Sequence, residues 1–169
     1  MEVSTSLGDV SGTVDLPVDP AGVSYSDTAQ IALGEDLTVS WSGGDADFYF
    51  FELEYEYDFG WDYFDTLTVG TSVTIDGAFF AHDGLIDNVD IQPINGPAPI
   101  AGSTGNMSGD GTGFLFHIIE GVWDDPDIQV GAGLSFERPD PAVPDAETRR
   151  TRARRALLEA NGLPAGLAH

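Results

Sequence analysis

Three groups of side chains in this chain have the type and spacing to do chemistry. Asp124, Asp125 and Asp127 crowd one short stretch. Ca²⁺ takes roughly six to eight oxygens, and aspartates in loops supply them. This cluster is therefore the candidate metal site, and Ca²⁺ is the one cofactor for which the sequence makes a case. Asp45 with Asp47, and Asp83 with Asp87 and Asp90, are lesser groupings of the same kind. The second group is aromatic. Trp61 and Tyr63 stand among acids in Asp58-Phe59-Gly60-Trp61-Asp62-Tyr63-Phe64-Asp65, and flat rings beside polar groups form the type of platform on which sugars stack. The third group is cationic. Arg149, Arg150, Arg152, Arg154 and Arg155 fall within seven consecutive residues, while Glu52, Glu54 and Glu56 alternate along another segment. A guanidinium can meet a carboxylate through two parallel hydrogen bonds, so the arginine segment is expected to dock on that acidic row, in the same molecule or in a neighbouring copy.

Other chemistry finds no foothold. With no cysteine there is no disulfide, thiolate metal site or sulfur nucleophile. His82, His117 and His169 are scattered, and no Gly-x-Ser-x-Gly elbow occurs. A glycosidase needs a carboxylate pair across a cleft, but acids are too numerous here to single out two. The glycine-rich stretch from Gly102 to Gly113 leads into a strand and carries no lysine, unlike a phosphate-binding loop. The chain is thus expected not to be an enzyme. Asn106-Met107-Ser108 fits a glycosylation sequon.

Charge narrows the partners. The net charge is -23 and lysine is absent. Residues 1–137 hold 25 acids and no Arg, whereas residues 138–169 hold 4 acids and all 6 Arg. A body of this kind repels nucleic acid and anionic lipid, because both require cations at the contact. No apolar run approaches the roughly 20 residues of a membrane helix. The expected partner is protein, either a second copy or another subunit, with a glycan as the alternative. Glu2-Val3-Ser4-Thr5-Ser6 is neither basic nor apolar, so an extracellular or cell-surface location would imply a signal segment not present in this chain. An acid-rich, lysine-poor surface also suits concentrated salt, which screens its self-repulsion.

The elements that must position these groups read as strands. Gly and Asp-Gly punctuate short β-branched and aromatic runs about every 8–12 residues, the spacing of a sandwich or barrel. Strands are expected at residues 12–16, 30–33, 37–42, 48–57, 63–69, 72–75, 88–94, 113–119 and 128–130, with a further one at 134–136. In Leu37-Thr38-Val39-Ser40-Trp41 the large apolar residues share one face, which puts Trp41 in the core. Phe51, Leu53, Tyr55 and Tyr57 alternate with Glu52, Glu54, Glu56 and Asp58. The acidic face should meet water or cations, since carboxylates in a row repel and bury poorly.

The run Leu37-Thr38-Val39-Ser40-Trp41-Ser42, the long aromatic strand from Phe48, the run Thr71-Ser72-Val73-Thr74-Ile75, and Val89-Asp90-Ile91-Gln92-Pro93-Ile94-Asn95-Gly96 follow in an order that resembles a fibronectin type III or immunoglobulin-like domain. The likeness spans roughly residues 30–120 and implies an antiparallel β-sandwich of the secreted or cell-surface kind. Asp87 stands about where such domains place a tyrosine, and Pro93 suits an edge or a bulge.

Pro139-Asp140-Pro141-Ala142-Val143-Pro144 reads as a stiff linker. The expected organisation is an acidic β-sandwich over 1–137, a linker over 138–144 and an Arg-rich helical tail over 145–169, with Asp145 as the helix cap. The helix stripe of Ala146, Ala153, Ala156, Leu157 and Ala160 is narrow, so the helix should be ordered only where it docks. These observations predict a non-catalytic, extracellular or cell-surface subunit for surface or assembly roles, its basic tail docked on an acidic face of itself or a neighbouring copy, with a glycan- or calcium-binding β-sandwich module as the alternative.

Overall fold

A computed structural model describes residues 2–5, 8–58, 60–97, 105–110, 113–132 and 146–160. Strands dominate. They are β1 (Glu2–Thr5), β2 (Gly8–Gly12), β3 (Ala21–Tyr25), β4 (Gln30–Ile31), β5 (Leu37–Ser42), β6 (Phe48–Tyr57), β7 (Gly60–Thr68), β8 (Ser72–Ile75), β9 (Gly84–Asn95), β10 (Met107–Gly109), β11 (His117–Ile118), β12 (Val122–Asp124) and β13 (Ile128–Val130). One helix, α1 (Ala146–Ala160), follows them.

The strands form three sheets. The largest runs in the order β4-β13-β9-β6-β7, with β11 and β12 also pairing on β9; β3-β5-β8 make a second sheet and β1-β2-β10 a third, and none of the three is closed. All pairings are antiparallel except that of β4 with β13. The first two sheets share one core. Leu37, Val39 and Trp41 of β5 and Val73 and Ile75 of β8 pack in a single cluster with Phe51, Leu53 and Tyr55 of β6 and Val89 and Ile91 of β9. Trp41 lies in that core as expected, stacked on Phe51 with ring centroids 6.0 Å apart and edge-on to Tyr49 at 5.3 Å.

Expected strands at 37–42, 48–57, 72–75 and 128–130 match the observed bounds. Others move. The strand expected at 12–16 is instead Gly8–Gly12, and residues 13–20, which include the buried Pro17 and Pro20, form no regular element. The one expected over 113–119 shrinks to His117–Ile118. β3 escapes notice in the sequence because Gly22 and Ser24 dilute its alternation. The expected strand at 134–136, the linker at 138–144 and the Asp145 cap lie outside the described residues.

Pro93 is not on an edge. It sits in the central strand β9 opposite Tyr49, at the position where β11 has ended its pairing at Ile94 and β12 begins at Ile91. The ladder is interrupted there, so the missing N–H costs no hydrogen bond. Gly121 makes the turn back from that gap with φ +81°, and a Cβ on it would lie 2.1 Å from the Ile91 carbonyl oxygen. Asp87 is the extra residue of a bulge, since Glu54 pairs with Asn88 while Tyr55 pairs with Ile86.

Candidate functional site

The acidic row of β6 is buried, and the C-terminal helix is part of what covers it. Every residue from Phe48 to Glu56 is buried. Phe51, Leu53 and Tyr55 face the shared core, while Phe48 and Phe50 point the other way and form a second apolar cluster with Ile94 of β9 and Ala153 and Leu157 of α1. Leu67, Phe116, Ile118 and Ala156 pack around it. The carboxylates continue this face. Across the ladder Glu52 stands between Asp65 of β7 and Asp90 of β9, Glu54 between Tyr63 and Asn88, and Glu56 opposite Trp61.

This corrects the expectation that Glu52, Glu54 and Glu56 meet solvent, for they are 2%, 8% and 8% exposed. The physical requirement behind the expectation still holds at Glu52, where a cation replaces water. Arg152 Nη1 donates to Glu52 Oε1 at 2.6 Å, and its guanidinium lies 4.5 Å from the centre of the Tyr63 ring. Tyr63 Oη in turn donates to Glu54 Oε1 at 3.3 Å. Charge-assisted bonding and a cation over an aromatic face are both strengthened by partial burial. Burial disfavours the charge on Arg152, but Glu52 and Tyr63 more than offset it and raise its pKa.

The helix thus uses the narrow stripe read from the sequence. Ala153 and Leu157 are buried, Ala156 is half-buried and Ala160 is exposed. Of the five arginines expected to dock, Arg152 does so. Arg155 instead bonds Glu159 on its own helix at 2.9 Å, the i,i+4 spacing of a surface pair. Arg154 is exposed. The side chains of Arg149 and Arg150 lie outside the described residues.

Glu54 answers to burial differently. Burial first, and the Asp87 carboxylate next, push its carboxyl above the ordinary range, against the opposing pull of the Tyr63 hydroxyl. A pKa raised by folding means that the protonated form is favoured in the folded state. The stabilising contribution is therefore full below the unfolded pKa and is lost as pH rises through the folded one. Glu54→Gln, which removes the buried charge and keeps a polar partner for Tyr63, should melt higher than the parent at about pH 8 and alike at about pH 4. Thermal melts across that window check this, and an unchanged difference at both ends would contradict it.

The aspartates proposed for Ca²⁺ are engaged with protein donors. Tyr25 Oη donates to Asp124 Oδ2, and Trp123 Nε1 donates to Asp125 Oδ1 at 2.8 Å. Burial, then the bond to Asp124 and the negative charge beside it, raise the Tyr25 pKa strongly. Asp127 turns the chain with φ 51°. No group of three or more His, Asp or Glu arranged to hold a metal occurs among the described residues. Members of the lesser acidic groupings tie distant loops together: Asp47 Oδ2 accepts from Gly96 N at 2.8 Å and Asp83 Oδ1 from Ala132 N at 2.9 Å. Asn106 of the sequon is likewise committed, its amide both donating to and accepting from the Leu115 backbone at 2.8 and 2.7 Å.

Of the two candidate glycan residues, Trp61 is 54% exposed and Tyr63 is 36% exposed. They share the face on which α1 lies, so one face of the Tyr63 ring is taken by Arg152.

Sequence reasoning passed over Phe48, Phe50 and Ile94, the apolar half of the seat. The signal was there. Phe48-Tyr49-Phe50-Phe51 breaks the alternation that governs the rest of β6, and a strand apolar on both faces must be covered on both. It also passed over the polar row on β9, where Asn88 and Gln92 are buried and Gln92 Nε2 donates to Asp90 Oδ2 at 2.7 Å.

No described helix is long and apolar enough to cross a membrane. Compared with known proteins, the chain matches no family model, no curated protein and no solved structure.

Proposed function

We propose that this chain is a non-catalytic, immunoglobulin-like β-sandwich that serves outside the cytoplasm as a surface or assembly subunit, with α1 as the docking element for its acidic sheet face. The observation that carries the proposal is the seat of α1: one arginine on a buried glutamate and a tyrosine ring, beside an apolar contact made by Ala153 and Leu157. The charge split supports it, because an anionic body and a cationic segment attract whether or not they belong to the same molecule. The strand order supports the fold class. β5 carries the core Trp41 and pairs with β8, while β6 and β9 pair in the opposing sheet, as the second, fifth, third and sixth strands of such domains do.

A seat that serves assembly must accept a helix supplied by another molecule. In Arg152→Glu/Leu157→Ala full-length protein the native helix loses both anchors, and a synthetic peptide of residues 145–162 should then bind. Docking worth about 4–5 kcal/mol corresponds to a Kd of roughly 0.2–1 mM. Parent protein, with its seat filled, should bind the peptide far more weakly. Calorimetry or fluorescence anisotropy reads the difference, and no binding to the double variant would remove the assembly reading.

A further inference from the structure

We infer that the outer edge of β7 is a strand-addition site for an extended, lysine- or arginine-bearing segment of another protein. β7 is the terminal strand of the largest sheet: β6 pairs along all nine of its residues on one side, and among the described residues no strand pairs on the other. Such an edge carries a row of backbone donors and acceptors ready to pair. Trp61, Asp62, Tyr63 and Asp65 along it are exposed.

The charges on the edge select the occupant. A second copy of β7 would set Asp62 and Asp65 against the same acids, on a body with no Lys or Arg before Arg138, and like charges across a strand pair are destabilising. A basic strand meets the opposite situation. The same face already holds one cation, Arg152, through a carboxylate and an aromatic ring.

A groove gives such a strand its anchor. It has a volume of about 360 Å³ and opens between β7 and α1, with Phe50, Glu52, Tyr63, Asp65, Arg155 and Glu159 among its walls. Its lining carries three carboxylates, Glu52, Asp65 and Glu159, against two guanidinium groups, Arg152 and Arg155. Glu52 is matched by Arg152 and Glu159 by Arg155, whose charge Asp65 also feels, so the groove keeps one negative charge in excess with Asp65 on its β7 side. A lysine or arginine opposite Asp65 on an added strand can send its side chain into this groove. Backbone pairing supplies the affinity, and the groove sets the register and the preference for a cation.

The probe is a blocked ten-residue peptide of alternating lysine and valine, titrated into ¹⁵N-labelled full-length protein, with alternating glutamate and valine as the comparison. The expected result is that every second amide from residue 61 to 67 becomes protected from exchange by the lysine peptide and not by the glutamate peptide. Asp65→Lys should weaken binding about tenfold or more, given the loss of one opposite charge and the gain of a like one. Asp19→Lys, an equal change of net charge at an exposed position outside β7 and the groove lining, should leave it within about twofold. Should Asp65→Lys disturb the groove, Asp62→Lys applies the same test from the other face of the strand. Shift changes spread over many acidic loops without protection of β7 amides, or equal weakening by the Asp19 and Asp65 variants, would show a general charge effect and overturn the inference.

Discussion

Arg152→Glu is expected to lift α1 from the sheet while leaving the β-core folded. The substitution removes the 2.6 Å bond to Glu52 and the contact with Tyr63, and places a second carboxylate against a glutamate that is 2% exposed. Breaking a fully buried pair by losing one partner costs about 3–5 kcal/mol. Arg152 keeps a third of its surface in water, so about 2–3 kcal/mol is the reasonable scale here. Among the described residues the apolar contacts that remain are those of one leucine, worth about 1.5–3 kcal/mol when buried, and two alanines. An isolated helix of 15 residues is marginal in water, and those apolar contacts, similar in size to the loss, must now also work against the repulsion between the introduced carboxylate and Glu52. Circular dichroism should lose the helical contribution, and amides of 146–160 should exchange freely, while the cooperative melt of the core persists. Arg154→Glu, on the exposed side of the same helix, should change stability by no more than about 0.5 kcal/mol. Equal effects from the two would mean that helix charge, and not the Arg152 seat, sets the docking.

Phe51→Ala is expected to destabilise the whole domain. Phe51 is fully buried in β6, which pairs with β7 on one side and β9 on the other. Its ring stacks on Trp41 at 6.0 Å and meets the edge of Phe64 at 6.2 Å. Truncating a core phenylalanine costs about 3–5 kcal/mol through lost transfer energy and the cavity left behind. For a domain of this size the melting temperature should fall by roughly 6–20 °C. The effect differs in kind from that of Arg152→Glu, because the sheet that seats the helix is lost together with the core. A fall of less than about 1 kcal/mol in chemical denaturation would place Phe51 outside the main core.

The contrast between these substitutions shows which parts of the molecule can be read from its residues. Leu37-Thr38-Val39-Ser40-Trp41 and Phe51-Glu52-Leu53-Glu54-Tyr55 state their inward faces directly, because a strand with one apolar face has one way to sit on a core. The helix is legible too, from its stripe and from the arginines around it. What alternation cannot report is a second cover. The pattern marks Glu52, Glu54 and Glu56 as pointing away from the main core, which they do, but whether that side meets water or another element is a tertiary matter. Only Phe48 and Phe50, apolar where the rhythm calls for polar residues, hint at the cover. The arginine cluster names the partner type without naming the residue. Arg152 flanks the buried stripe on the side of Ala156 and reaches the sheet, Arg154 flanks it on the other side and stays exposed, and Arg155 finds Glu159 one turn along. Pro93 is illegible for a different reason. A proline is tolerated in a central strand when the neighbouring ladder happens to be broken there, and that break depends on where β11 and β12 pair.

The acidic face of β6 is buried, with an arginine-bearing helix seated on it. Nuclear Overhauser contacts in the full-length protein test this most directly. Leu157 methyl protons and the Ala153 methyl should show cross-peaks to the rings of Phe48 and Phe50 and to Ile94. If instead residues 146–160 tumble independently of the sheet, with Leu157 showing no contact to any of these side chains, the proposed seat does not exist.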